Sequence, residues 1–233
     1  MKNKENVKNI ITGLYFAVAM AEVTTEAFAY KPLLFVLKPL ISVLLMALYW
    51  STSEQRNKLF FATIFFSLIT NVFFIPNTET MLFLGLIAFL IHRILMIFYI
   101  NKLTKVKDYI PLLIATVPFL FIFFYLLSIS EGLTSKSYNI LILQNILISI
   151  LGGISLSHYV MNDVKKNTWL LIFGLLSVTQ YFIVFIEKYY LSNLAPAIFR
   201  PLAMLLNITL YYAFYRFFMD VENSNSGVVL NNN

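Results

Sequence analysis

The chain has 233 residues, of which 60% are hydrophobic and only 12% charged. A soluble domain carries about 25% charged residues, so 17 basic and 11 acidic side chains are too few to cover a water-facing surface of this size. With 23 Phe and a mean hydropathy of +0.79, a water-soluble enzyme, a disordered chain and a nucleic-acid-binding domain are all excluded, despite a pI near 9.4. What remains is an all-α, polytopic membrane helix bundle. No cysteine is present, which removes disulfides, thiol catalysis and Cys-based zinc sites.

A membrane-crossing helix needs about 20 mostly apolar residues. Eight stretches qualify: Ile10–Phe28, Pro32–Trp50, Leu59–Ile75, Met81–Ile100, Tyr109–Ile129, Tyr138–Val160, Trp169–Ile186 and Leu194–Met219. The runs lack the period-two alternation of a membrane barrel. The connections are short, so successive helices are expected side by side, within one domain over 1–219. Ala19-Met20-Ala21 looks like a signal cleavage site, but Glu22 and Glu26 follow at once and an even count of spans needs this helix. From Asp220 to Asn233 the chain is Asn/Ser-rich without periodicity, which predicts a disordered, polar, cytoplasmic tail.

Charge placement sets the orientation. With the N-terminus in the cytoplasm, eleven basic residues are inner: Lys2, Lys4, Lys8, Arg56, Lys58, Lys102, Lys105, Lys107, Lys165, Lys166 and Arg216. Only Lys31, Lys136 and Lys188 are outer. That asymmetry predicts both termini in the cytoplasm. In the second span Lys38-Pro39 interrupts the apolar run; a helix beginning at Pro39 would leave Lys38 to snorkel to the outer interface.

Ionisable groups inside a bilayer cost at least ~2.5 kcal/mol each near the midplane, so the few present are the candidates for function. Glu22 and Glu26 are four residues apart on one face of the first helix. Lys38 is their nearest partner by topology, and a plain Glu26–Lys38 pair at the outer interface is the structural alternative. His92-Arg93 falls in the middle of the fourth span. Arg93 keeps its charge and needs a carboxylate, a lipid phosphate or backbone carbonyls; a tie between helices is the simpler role. Arg200, near the outer side of the last span, can hold a phospholipid headgroup or make a similar tie. His158 reads as interfacial. Gly152-Gly153 with Ser149, Ser155 and Ser157 forms a small-residue surface for close helix packing, and Gln144 and Asn145 can bridge to neighbouring helices. Metal-ligand spacing, phosphate-binding glycine loops and nucleophile elbows are absent, so no metal and no cofactor is expected.

The order of several motifs resembles the YhhN-like lysoplasmalogenase family of integral membrane hydrolases. Tyr15-Phe16-Ala17-Val18-Ala19-Met20-Ala21-Glu22 and Leu37-Lys38-Pro39-Leu40 are similar to the family's opening helix and its Lys-Pro-Leu entry to the second. Phe66-Ser67-Leu68-Ile69-Thr70-Asn71 resembles Phe-Ser-Leu-x-Gly-Asp, and Gly85 to Arg93 resembles Gly-Leu-x-x-Phe-Leu-x-Ala-His. Ser177 to Tyr189 lines up with the family's seventh helix. The likeness runs from about Ile10 to Met219 and includes the number of spans.

That resemblance implies hydrolysis of the vinyl-ether bond of lysoplasmalogens to an aldehyde and a glycerophospho-alcohol, with membrane lipids or lysolipids as partners. Protonating the alkene and activating water suits two carboxyl groups, which the family draws from its third and seventh helices. Here those positions carry Asn71 and Tyr181, and the family histidine falls on Arg93 with His92 beside it. Asn cannot ionise, and Tyr, with a reference pKa near 10, is a poor base at neutral pH. An active enzyme of this kind would then use Glu26 as acid/base, Asn71 to orient water, and Lys38, His92, Arg93 or Arg200 toward the lipid headgroup. A non-catalytic lysolipid-binding protein with the same cavity is the alternative, and a small transporter a further one. The abundance of Lys, Asn, Ile and Phe points to a bacterial inner membrane.

Overall fold

The computed structural model describes residues 2–104, 108–130, 135–161, 168–191 and 196–230. Within them the chain is all-helical. In order, the helices are α1 (Lys2–Ala27), α2 (Lys31–Thr52), α3 (Lys58–Phe74), α4 (Glu79–Thr104), α5 (Tyr109–Ser128), α6 (Ser135–Met161), α7 (Thr168–Phe185) and α8 (Phe199–Leu230). A π-helical turn, Ile186–Tyr190, extends α7. Seven described helices are long and apolar enough to cross a membrane. The exception, α3, has 17 residues, about 26 Å of helix, which is at the short end of the spanning range.

The helices close on one another. α1 packs on α2, α2 on α3, α3 on α4, α4 on α6, α6 on α7, α7 on α8, and α8 returns to α1 and α2. Side-by-side packing of successive helices therefore fails at one step: α4 packs on α6, and α5 lies outside the ring against α6. The outward face of α5 carries Ile110, Leu113, Ile114, Val117 and Phe121, all exposed, as a lipid-facing surface requires.

The Gly152-Gly153 pair explains the placing of α5. A Cβ at Gly153 would collide with Thr116 of α5, and one at Gly152 would lie 2.9 Å from both Phe119 of α5 and Val178 of α7. Small residues let these backbones approach. Gly153→Ala is expected to cost ~1–3 kcal/mol through overpacking, read as a lower unfolding midpoint in detergent. Gly13→Ala, where nothing lies within 4 Å, should leave that midpoint unchanged or raised.

Three boundaries differ from the hydropathy reading. α2 starts at Lys31 with Pro32 in its first turn, so Pro39 lies inside the helix and Lys38 does not precede it. α1 begins in the polar N-terminal stretch, at Lys2, and is held in the bundle by Tyr15, whose hydroxyl donates to the Ile208 carbonyl at 2.8 Å. The expected disordered tail is helical through Leu230. Its first turn carries buried Glu222, which accepts hydrogen bonds from Tyr49 and Ser53. That anchoring on α2 keeps the polar segment in register with the apolar part of α8. Lys105, Lys107, Lys165, Lys166 and the expected start of the last span at Leu194 lie outside the described residues.

Candidate functional site

One end of the ring encloses a cavity of about 140 Å³ between α1, α2, α3, α4, α6, α7 and α8. Glu26, Lys38, Asn71, Tyr181 and Arg200, singled out from the sequence, all line it. Positions 71 on α3 and 181 on α7, which the sequence resemblance sets against a pair of aspartates, line a common space.

The mouth is charged. Lys38 Nζ lies 3.5 Å from Glu26 Oε2, both side chains largely buried at 6% and 11% exposure. Lys38 is inside the protein, not snorkelling at the interface; α2 continues through Pro39, and the ammonium meets Glu26 of α1 and, at 3.6 Å, Met204 Sδ. Glu26 Oε2 has this ion pair but no hydrogen bond among the described residues. Glu22, one turn earlier, is buried and does not line the cavity.

Facing this pair, Arg200 Nε donates to Glu187 Oε1 at 2.8 Å. Glu187 is buried and Arg200 half-exposed. Lys188, next in the π-helical turn, donates to Asn77 Oδ1 at 3.3 Å and sits over Phe74. Lys31 completes the rim. Two carboxylates and four cations therefore surround one opening.

The interior is neutral and polar on one side, apolar on the other. Ser67, Thr70, Asn71, Gln180, Asn207 and Tyr211 supply the polar side. Gln180 Nε2 approaches Asn207 Oδ1 at 3.5 Å. Leu86, Phe89, Leu141, Phe185 and Ala203 supply the apolar side. The charged rim thus stands over a floor that is polar on one side and apolar on the other.

His92 and Arg93 are not lining residues; they stand one layer behind the wall. His92 Nδ1 meets the Thr63 carbonyl at 2.7 Å and Nε2 meets Tyr211 Oη at 3.1 Å. The Arg93 guanidinium lies 4.3 Å from the Phe89 ring centroid and 4.8 Å from that of Tyr181, and donates a long 3.5 Å bond to the Gln144 carbonyl. Arg93 therefore braces the wall that Phe89 and Tyr181 present and does not reach the cavity. Tyr181 in turn donates to Asn145 Oδ1 at 2.7 Å, and Asn145 donates to the Phe123 carbonyl at 3.1 Å. Gln144 donates to the Leu86 carbonyl at 3.3 Å. The bridging expected of Gln144 and Asn145 is thus present. His158 is half-buried near the end of α6.

Sequence reasoning missed Glu187, Ser67, Gln180, Asn207 and Tyr211. Glu187 falls one residue past the expected end of the seventh span; the π-helical turn carries it back toward the cavity. The others are neutral, and an inventory of ionisable groups passes over them. Their signal is an amide or hydroxyl within an apolar run. Among the described residues no cluster of three or more His, Cys, Asp or Glu is placed to hold a metal ion.

No family model, curated protein or solved structure matches this chain.

Proposed function

We propose that this chain is an integral membrane protein of the lysoplasmalogenase type, seated in a bacterial inner membrane with both termini cytoplasmic, whose cavity receives a lysolipid. The observation that carries the reading is the joint lining of one cavity by Asn71, Tyr181, Glu26, Lys38 and Arg200. Lys38, Lys188, Lys31 and Arg200 at the mouth suit a phosphate, and the apolar wall of Leu86, Phe89 and Phe185 suits the first methylenes of a chain. The cation-rich inner loops support the orientation.

Vinyl-ether hydrolysis would place a proton on the alkene carbon and water on the oxocarbenium carbon. In its protonated form, released from the Lys38 pair when the ligand's phosphate takes that ammonium, Glu26 is the carboxyl available for the first step, and Asn71 can orient the water. Reconstituted protein supplied with a lysoplasmalogen is expected to release aldehyde. Glu26→Gln should reduce that release by about 10²–10⁴-fold, the usual worth of a positioned acid/base. Release that is unchanged in Glu26→Gln would contradict this assignment.

A non-catalytic lysolipid-binding protein is the second reading, and the hydrogen bonding of Tyr181 favours it. The Tyr181 hydroxyl is committed to Asn145, and Asn71 has no proton to exchange at neutral pH. Saturable lysolipid binding with release of neither aldehyde nor fatty acid would select this reading.

A further inference from the structure

Most hydroxyls within the helices are spent on their own helix. Thr63, Thr70, Thr116, Ser149, Ser155 and Ser177 each donate to the carbonyl four residues back, at 2.7–2.9 Å. Such back-bonding is the default for Ser and Thr in a helix. Ser67 departs from it. The carbonyl four residues back from Ser67 is that of Thr63, and His92 Nδ1 occupies it. The Ser67 hydroxyl instead donates directly to Tyr211 Oη of α8, its neighbour in the cavity wall.

The directions of these bonds follow from chemistry. A carbonyl can only accept, so His92 Nδ1 carries the proton and Nε2 is the bare nitrogen. Tyr211 Oη, 3.1 Å away, then donates to Nε2 and accepts from Ser67. The chain runs Ser67 to Tyr211 to His92 to the Thr63 carbonyl, and its first two members, Ser67 and Tyr211, line the cavity. This is the nucleophile, base and orienting group of an acyl-transfer site, with a phenol between the first two. Asn71, four residues on from Ser67 and on the same face of α3, lines the same space with Gln180 and Asn207. Side-chain amides suit a developing oxyanion; they cannot protonate carbon.

We propose that Ser67 is a nucleophile toward the carboxylic ester of an acyl lysolipid, activated through Tyr211 and His92. Ser67 Oγ forms a bond to the ester carbonyl carbon while its proton passes to Tyr211 Oη and the Tyr211 proton passes to His92 Nε2. The carbon–oxygen bond to glycerol breaks, and the glycerol oxygen takes the proton returned through Tyr211. Water then cleaves the acyl-serine by the same route, releasing a fatty acid and restoring Ser67. The net change is ester plus water to acid plus alcohol. The lysolipid class rests on the reading of the cavity given above; the nucleophile does not.

The test is labelling of the full chain in nanodiscs by an alkyl fluorophosphonate, with the adduct located by peptide mass mapping. Wild type is expected to carry the adduct on Ser67, and Ser67→Ala to carry none. Tyr211→Phe and His92→Asn should label at least tenfold more slowly, and acyl lysolipid should release fatty acid with the same ranking. A Ser67→Cys chain treated with a small maleimide reports access and folding. Alkylation of that cysteine without a wild-type phosphonate adduct overturns the proposal, as does an unreachable cysteine, or labelling unaffected by Tyr211→Phe. Fluorescent lysolipid binding is read separately. Bound lysolipid with no adduct removes the serine step and leaves the cavity's reading standing, whereas an adduct with no lysolipid binding does the reverse.

Discussion

Lys38→Met is expected to destabilise the protein by about 3–5 kcal/mol, because it strands the Glu26 carboxylate inside the bundle. The pair is 3.5 Å apart and largely buried, with exposures of 6% and 11%, so little water is at hand to replace the lost partner. Glu26→Gln should cost less, since the Lys38 ammonium retains the Met204 sulfur and the cavity mouth. The double variant Lys38→Met/Glu26→Gln should recover most of the loss, for two neutral groups of the same volume carry no unpaired charge. Unfolding in mixed detergent micelles, run as a double-mutant cycle, measures this. Additive effects within about 0.5 kcal/mol would mean that the two groups do not sense each other and that the pair is solvated.

Arg93→Met is expected to act in the opposite direction. Arg93 is 3% exposed, and neither of the two ion pairs among the described residues includes it. Two aromatic faces and one long carbonyl bond are its compensation. Cation–π contacts return about 2 kcal/mol each when desolvated, against a burial penalty of several kcal/mol. Met of similar length should therefore raise stability by about 1–4 kcal/mol. The same change should weaken lysolipid binding, because Phe89 and Tyr181 lose the group that stacks on both. A stability loss above about 1 kcal/mol, measured in the same micelles, would show that the guanidinium is a net structural asset.

The helices were legible in the sequence because hydrocarbon is a demanding solvent. Apolar length alone located α5, expected at Tyr109–Ile129 and found at Tyr109–Ser128, and α7, expected to start at Trp169 and found from Thr168. Hydropathy is silent where a helix leaves the apolar core. It therefore missed the polar first turns of α1 and the extension of α8, whose register depends on a distant contact between Glu222 and Tyr49. Pro39 read as a helix start, since proline breaks helices in water; within a bundle neighbouring groups tolerate it. The outward step of α5 was also hidden. It depends on how closely Gly153 and Thr116 meet, which a small-residue pair announces without naming its partner.

At the site, charge was the readable signal. Glu26, Lys38 and Arg200 stood out against an apolar background and do line the cavity. His92 and Arg93 stood out equally, but adjacent helical residues diverge by about 100°, and the sequence does not say which of them meets the cavity. Neither does; they brace Tyr211 and Tyr181 from behind. Glu187 was overlooked because it follows the apolar run, where acidic residues ordinarily meet water. Its burial depends on the π-helical turn Ile186–Tyr190, and nothing local in the sequence marks that turn.

The most direct test of a lysolipid in this cavity is photo-crosslinking in native-like membranes. A lysolipid with a diazirine near its headgroup should attach to residues on α3, α7 and α8 that line the cavity. Filling the space by Ala203→Trp should abolish those adducts while the helix content is unchanged. Adducts confined to the outward face of α5 near its ends, at Ile110 or Tyr125, and indifferent to Ala203→Trp, would contradict a lysolipid in this cavity.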